Sequence, residues 1–280
     1  VQGLHGKRIF ITGGARGIGL ALAEASAAAG AVPLIADIDA TEASAAAERV
    51  GRGARGYGLD VTQAAAFDQV LAHAASEAGG LDVVVNNAGI AEAAPRAAEQ
   101  PRGMVERIVD VNLMGVINGT TAAIRQMEST RGHVVNIASQ AGRTAVPALA
   151  AYTASKHGVV GFTDTVRYEY RGSGLRFTCV MPGPVSTGMM DGTRRVPLIR
   201  LIEPSQVADA VLEAVATGRE EVFVPRSTGY LIRFASMLPV RAREAITRIS
   251  GIDRVYADID PAIRHEYSTR VAPQAGQDAS

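Results

Sequence analysis

One cysteine in 280 residues cannot form an internal disulfide, and that scarcity excludes the small disulfide-stapled folds of secreted proteins. Cys179 lies in the apolar stretch Phe177 to Val180, and this composition fits a reducing, cytoplasmic compartment. Net charge is missing too: 28 Lys plus Arg balance 28 Asp plus Glu, so no global field draws the chain to nucleic acid or to an anionic membrane. No apolar run approaches the length of a membrane-spanning helix. The N-terminus runs almost directly into a strand-like segment, and no secretory signal is expected. The five histidines show no metal-ligand spacing, and neither a Gly-x-Ser-x-Gly elbow nor a Walker loop occurs. Metal-dependent, serine-hydrolase and nucleoside-triphosphatase chemistry are therefore set aside. Asn118-Gly119-Thr120 matches a glycosylation sequon but falls inside a helical pattern, and is read as chance.

What is present is a hydrophobic fraction of 47%, enough for a sizeable core, and 30 glycines, which imply several close backbone approaches. Short apolar runs read as strands at Lys7 to Thr12, Val32 to Ala36, about 55–59, Leu81 to Val85, His133 to Ala138, Leu175 to Val180 and Glu221 to Val224. Most are continuous rather than alternating, as in a parallel sheet buried on both faces. Ala-rich helical stretches lie between them, near 18–29, 41–50, 63–78, 103–128, 152–171 and 204–217. This alternation predicts an α/β, doubly wound parallel sheet with helices on both faces. From about residue 226 the pattern becomes purely helical, with helices expected over 230–239, 240–252 and 261–270. The expected organisation is a main domain over 1–225, a helical C-terminal extension packed on it over 226–271, and a frayed polar tail over 272–280.

Directly after the first strand comes Thr12-Gly13-Gly14-Ala15-Arg16-Gly17-Ile18-Gly19, opening a helix. Glycines there permit a tight turn and close approach of a pyrophosphate to the positive helix N-terminus. Asp37 ends the next strand, where a carboxylate accepts both ribose hydroxyls and repels a 2′-phosphate. A helix N-cap is the other role open to it. Arg16 could reach a 2′-phosphate. Asp37 lies where that phosphate would sit, so NAD is favoured over NADP. Asp60-Val61 follows the third strand, where the carboxylate could accept the adenine amino proton; Asn86-Asn87-Ala88-Gly89 follows the fourth. All fall at the carboxyl edge of the sheet, where open α/β folds bind ligands.

Tyr152 and Lys156 are four residues apart on a predicted helix, so a phenol and an ammonium share one face. Moving a phenol from its usual pKa of about 10 to about 7 takes roughly 4 kcal/mol. A cation about 4 Å away at an effective dielectric of about 20 supplies that much. The expectation is a phenol acidified by its neighbour. His157 points about 100° away around the helix and reads as structural. Asn136-Ile137-Ala138-Ser139 closes the fifth strand, and the loop from Ser139 to Tyr152 can bring the hydroxyl beside the phenol.

Thr-Gly-x-x-x-Gly-x-Gly, Asn-Asn-Ala-Gly, this serine and Tyr-x-x-x-Lys together resemble the short-chain dehydrogenase/reductase family over about residues 4–225. The resemblance implies a seven-stranded Rossmann sheet of order 3-2-1-4-5-6-7 and nicotinamide-dependent alcohol/carbonyl chemistry. It places a catalytic tetrad on Asn112, Ser139, Tyr152 and Lys156. Asn112 would match the family's helix-kink asparagine, whose carbonyl holds a relay water; a local hydrogen bond bending the helix is the alternative. Pro182-Gly183-Pro184-Val185-Ser186-Thr187 resembles the segment that cradles the nicotinamide, with Thr187 on the carboxamide. Gly13, Arg16, Gly17, Ile18, Gly19, Asp37, Asp60, Val61, Asn87, Ala88, Gly89, Tyr152, Lys156, Pro182, Gly183, Val185 and Thr187 form the expected cofactor set.

The implied chemistry has Tyr152 exchanging the alcohol proton, Ser139 bonding the same oxygen and Lys156 lowering the phenol pKa while binding ribose. In the family, the segment 184–203 lids the substrate. Here it carries Met189, Met190, Val196, Pro197, Leu198 and Ile199, suited to an irregular apolar ligand, with Ser139 and Tyr152 at the reacting end. A hydrophobic secondary alcohol or ketone (lipid-, retinoid- or steroid-like) is favoured. The family also implies a homo-oligomer, dimer or tetramer, built on the helices at 103–128 and 152–171. The stretch Tyr230 to Pro239, followed by Arg241, Arg243 and Arg248, is expected to cover the pocket or a subunit contact; peripheral membrane contact is the secondary expectation. A nucleotide-sensing protein without turnover is the competing function, and an intact tetrad argues against it.

Overall fold

A computed structural model describes residues 3–128, 131–194, 196, 200–256 and 259–272. Seven strands form one parallel sheet: β1 (Arg8–Thr12), β2 (Val32–Asp37), β3 (Arg55–Gly58), β4 (Val83–Asn86), β5 (His133–Ile137), β6 (Arg176–Pro182) and β7 (Glu221–Val224). Their order is β3-β2-β1-β4-β5-β6-β7, the expected one. The crossovers carry α1 (Gly17–Ala28), α2 (Ala40–Val50), α3 (Ala64–Ala78), α4 (Arg102–Val109), α5 (Gly115–Met127), α6 (Ala150–Glu169) and α7 (Pro204–Thr217).

The strands are apolar throughout because successive side chains point to opposite faces and both faces are covered. Ile9, Ile11, Val83 and Val85 pack with Leu22, Val207 and Val211 of α1 and α7. Phe10 and Val84 turn the other way, onto Phe67, Leu71, Ala123 and Met127 of α3 and α5. Residue pairing Thr12↔Ala36, Asp37↔Gly58 and Asn86↔Asn136 brings the strand ends to one edge. Under that edge a buried ladder joins sheet to helices. Asn86 donates to Asn136 (2.8 Å) and Thr120 (3.2 Å), and Asn136 donates to Thr163 of α6 (2.9 Å).

The helix expected over 103–128 is interrupted. Between α4 and α5, Asp110–Met114 forms a π turn, a widened turn that re-aims a side chain. It delivers Asn112 into the interior, where its amide accepts from Ile90 N (2.8 Å) and donates to Ile90 O (2.9 Å) and Ser155 Oγ (3.1 Å).

After β7 come α8 (Arg226–Ser236), α9 (Val240–Ser250), α10 (Ile252–Val255) and α11 (Pro261–Val271). Helix α8 lies against β7, with Arg233 over the Phe223 ring. Tyr230, Leu231, Phe234 and Met237 nevertheless remain exposed, so this face of α8 does not cover the pocket. Among the described residues no helix is long and apolar enough to cross a membrane. Helix α11 turns back over the carboxyl edge of the sheet.

Candidate active site

The glycine loop is built for close approach. Gly13 and Gly17 adopt φ of +60° and +54°, which glycine alone reaches without strain. A Cβ at Gly19 would sit 2.2 Å from Gly13 O, and one at Gly13 would sit 2.9 Å from Ala88 Cα. Asn87 braces this turn by donating to Thr12 O (2.9 Å) and Gly13 O (3.1 Å), while Thr12 Oγ1 accepts from the N–H groups of Asn87 (3.0 Å) and Ala88 (3.1 Å). Asn87 is thus a scaffold for the loop as well as part of the cleft wall.

A cleft of about 740 Å³ runs along the edge, lined by Gly13, Arg16, Gly17, Ile18, Asp37, Asp60, Val61, Asn87, Ala88 and Gly89 from the expected set. Asp37 caps no helix: its Oδ2 accepts from Ala15 N (3.1 Å), and Asp39 caps α2 instead, accepting from Thr41 N and Glu42 N. Asp60 Oδ1 is occupied by Thr62 N (3.0 Å) and Thr62 Oγ1 (2.8 Å). This cleft shares Ile18, Asn87, Gly89, Thr187 and Met189 with a second cavity of about 140 Å³. Ser139, Tyr152, Lys156, Pro182, Gly183, Val185, Met189 and Met190 line the second cavity. All the expected site residues except Gly19 and Asn112 thereby line one continuous trough. Gly19 lies beneath the loop, and Asn112 lies behind Gly89. Val196 is described, but Pro197, Leu198 and Ile199 fall outside the described residues.

Ser139 begins the turn after β5, its Oγ accepting from Ala141 N (3.1 Å). Its hydroxyl interacts with the Tyr152 phenol, which favours the ionised form; burial outweighs this and raises the Tyr152 pKa above its ordinary value. Burial thus acts against the acidified phenol expected from the sequence. Lys156 Nζ lies 5.7 Å from the Tyr152 ring centroid and donates to Ile137 O (3.0 Å). Lys156 is itself desolvated, 3% exposed, and its pKa falls to about 8. Burial disfavours the charged form of both groups, and the ammonium, still the main form of Lys156 at neutral pH, donates to a carbonyl.

These features fit a dinucleotide. The loop admits a pyrophosphate at the N-terminus of α1, Asp37 presents a carboxylate beside it, and Lys156 spends one of its three N–H donors on Ile137. Two donors are left for a ligand.

Sequence reasoning missed the C-terminal contribution. Tyr267 Oη accepts from Ala91 N (2.9 Å). Arg264, 3% exposed, donates to Ala91 O (2.7 Å) and Met189 O (2.5 Å) and lies 4.0 Å from the Tyr267 ring centroid. Tyr267 and Arg270 line the long cleft, and Ile252, Val255 and Tyr256 line the smaller cavity. The two contacts with Ala91 join residues more than 170 positions apart, and no local pattern announces them.

A glycine-rich turn on a Rossmann-type sheet, ending in a serine and a Tyr-x-x-x-Lys helix, defines a nicotinamide-dependent oxidoreductase architecture. Residues 7–196 match the short chain dehydrogenase family model, and the chain belongs to that family. Over 214 residues it is 37% identical to 3-alpha-(or 20-beta)-hydroxysteroid dehydrogenase of Mycobacterium tuberculosis, covering 75% of this chain and 82% of the relative. Galactitol 2-dehydrogenase of Agrobacterium fabrum is 38% identical over 184 residues, covering 65% and 72%. The chain also matches the probable oxidoreductase EphD of Mycobacterium tuberculosis at 36% identity, with 74% of this chain covered, but spans only 39% of that longer protein. Among solved structures, 3-ketoacyl-(acyl-carrier-protein) reductase of Brucella melitensis complexed with NADH superposes with a TM-score of 0.73 at 27% identity, covering 79% of this chain and 97% of that one. A short chain dehydrogenase/reductase of Burkholderia phymatum in complex with NAD shares the fold at 24% identity, TM-score 0.77, covering 85% and 95%.

Proposed function

We propose that this chain is an NAD-dependent oxidoreductase that interconverts an apolar secondary alcohol and its ketone, with Tyr152 as general acid/base. The observation that carries this reading is the meeting of Tyr152 and Ser139 in a cavity that opens onto the glycine-loop cleft. A bound nicotinamide supplies the hydride acceptor or donor. Tyr152 gives its proton to a ketone oxygen, or takes it from an alcohol. Ser139 hydrogen-bonds that same oxygen and stabilises charge as it develops. Lys156 holds ribose hydroxyls and, once drawn toward the phenol, favours tyrosinate. Asn112 keeps Ile90 and Ser155 fixed around this centre. With its pKa raised, Tyr152 rests as the protonated acid at neutral pH, ready for reduction; oxidation first requires loss of that proton.

The cavity of about 140 Å³ is benzene-sized, since about 150 Å³ holds benzene. Its wall includes the expected nicotinamide cradle, so a bound nicotinamide would take up part of it and only the reacting end of a substrate would enter. A longer lipid-, retinoid- or steroid-like substrate would displace the wall formed by Ile252, Val255 and Tyr256. The enzyme is further proposed to work as a homo-oligomer.

The reading is tested by following reduced-nicotinamide absorbance across a panel of cyclic and aliphatic secondary alcohols with NAD. Turnover is expected, and Tyr152→Phe should lower it by about 10²–10⁴-fold while leaving NAD affinity within a few-fold. Tight NAD binding without turnover on any alcohol or ketone would instead favour a nucleotide sensor.

A further inference from the structure

We propose that the Tyr256 hydroxyl is a second oxygen-recognition point in the substrate cavity, selecting alcohols and ketones that carry a further oxygen remote from the reacting carbon. This deepens the oxidoreductase reading above and rests on it. Tyr256 follows α10 and lines the same cavity as Tyr152. Its hydroxyl donates to Met190 Sδ at 3.1 Å. A thioether is a weak acceptor, so an incoming carbonyl or hydroxyl oxygen would replace it with gain.

The other polar side chains of the cavity wall are already engaged. Gln140 Nε2 donates to Val224 O (3.0 Å) and Thr228 Oγ1 (2.6 Å), and Thr144 Oγ1 donates to Gln140 O (3.1 Å). Asn87 is committed to the glycine loop, Thr187 Oγ1 donates to Val185 O (3.4 Å), and Lys156, which donates to Ile137 O, belongs with Tyr152 to the proposed reacting end. Ser139 and Tyr152 belong to the reacting oxygen. Tyr256 alone, among these described residues, presents a hydroxyl whose partner is only sulfur.

The C-terminal arm is held well enough for such selection. Asp260 N donates to Gly192 O (2.9 Å), and Arg264 fastens α11 to Met189 and Ala91. Charge on Tyr152 acts on Tyr256: burial first, then that charge, raises the Tyr256 pKa. Tyr256 therefore remains a proton-bearing donor while Tyr152 exchanges its own. One phenol does the acid/base work, and the other reads the substrate. A site built to bond an oxygen penalises the analogue that lacks it, because its own buried donor is left poorly paired.

The test compares trans-1,4-cyclohexanediol with trans-4-methylcyclohexanol, alcohols of similar size that differ only in the remote oxygen. The readout is the ratio of their kcat/KM values in the wild type and in Tyr256→Phe, which removes a single oxygen atom and preserves the ring. The diol-to-methyl ratio should fall about tenfold in the variant, one neutral hydrogen bond's worth. A change of less than twofold overturns the proposal. If the wild type turns over neither alcohol, these two are not substrates, and the oxidoreductase reading is decided separately by the alcohol panel above. Calorimetric affinities of 4-hydroxycyclohexanone and 4-methylcyclohexanone for the NADH-loaded protein then decide the role of Tyr256 by the same tenfold and twofold criteria.

Discussion

At the scale of single residues, the site depends on where each charge is held. Asp37 accepts from Ala15 N and so lies against the glycine turn, where the proposed NAD reading puts the adenosine ribose. A second negative charge there repels a 2′-phosphate. NAD should therefore outperform NADP in kcat/KM, and Asp37→Ser should narrow that preference by at least about tenfold. A wild-type preference for NADP would refute the assignment. The four residues proposed as a tetrad could be named from the sequence because each sits in a short motif. Their protonation was not. An isolated phenol–ammonium pair predicts an acidified tyrosine, but burial raises Tyr152, and Lys156 Nζ turns toward Ile137 O. Desolvation depends on what surrounds a group, and spacing along one helix does not encode that.

At the scale of elements, the sheet edge is held by contacts too close for additional atoms. Gly119 of α5 faces Asn86 and Phe67, and a Cβ there would lie 2.0 Å from Asn86 Oδ1. Gly119→Ala improves helix propensity on paper, yet should cost about 1–3 kcal/mol in urea unfolding, because the buried Asn86–Asn136 pair must yield. A gain in stability would show that α5 packs elsewhere.

Strands β5 and β6 carry a pH dependence of their own. His133 bonds Thr178 Oγ1 at 2.7 Å, and burial pulls its pKa down to about 4. The unfolded chain binds that proton near its ordinary pKa of about 6.5. Between about pH 6.5 and about pH 4 the unfolded state thus holds more protons, so stability falls on acidification, by about 1 kcal/mol per pH unit. His133→Asn should flatten this part of the stability-against-pH curve. An unchanged slope would mean that other groups set it. Strand identities were legible from apolar runs bounded by turn residues, and boundaries moved by only a few positions. The break between α4 and α5 was foreshadowed only through the family's helix-kink asparagine, since a π turn leaves the apolar periodicity of the flanking turns nearly intact.

For the whole molecule, the decisive feature is the return of the C-terminal arm across the carboxyl edge. Arg264 reaches Ala91 O after β4 and Met189 O in the segment expected to act as a lid, and lies 3.7 Å from Glu92. Arg264→Ala leaves those buried carbonyls and Glu92 poorly paired and should cost on the order of 3 kcal/mol. Hydrogen exchange should rise together over 186–194 and 259–271 if lid and arm move as one body. Lysine should restore little, because one ammonium cannot span two carbonyls as the guanidinium fork does. Exchange confined to α11 would show that the lid stands without it.

What the amino-acid order determined by itself was the set of elements, the sheet that they build and the chemistry brought to its carboxyl edge. Those follow from patterns only a few residues long: apolar runs, a glycine-rich turn, two side chains one helical turn apart. What tertiary structure alone decided was the solvation of Tyr152 and Lys156, the bracing role of Asn87, and the lining residues Tyr256 and Tyr267 on an arm that Arg264 fastens. Each of these rests on contacts between distant positions, where the energy comes from desolvation and shape, and neither is written in the spacing of residues along the chain.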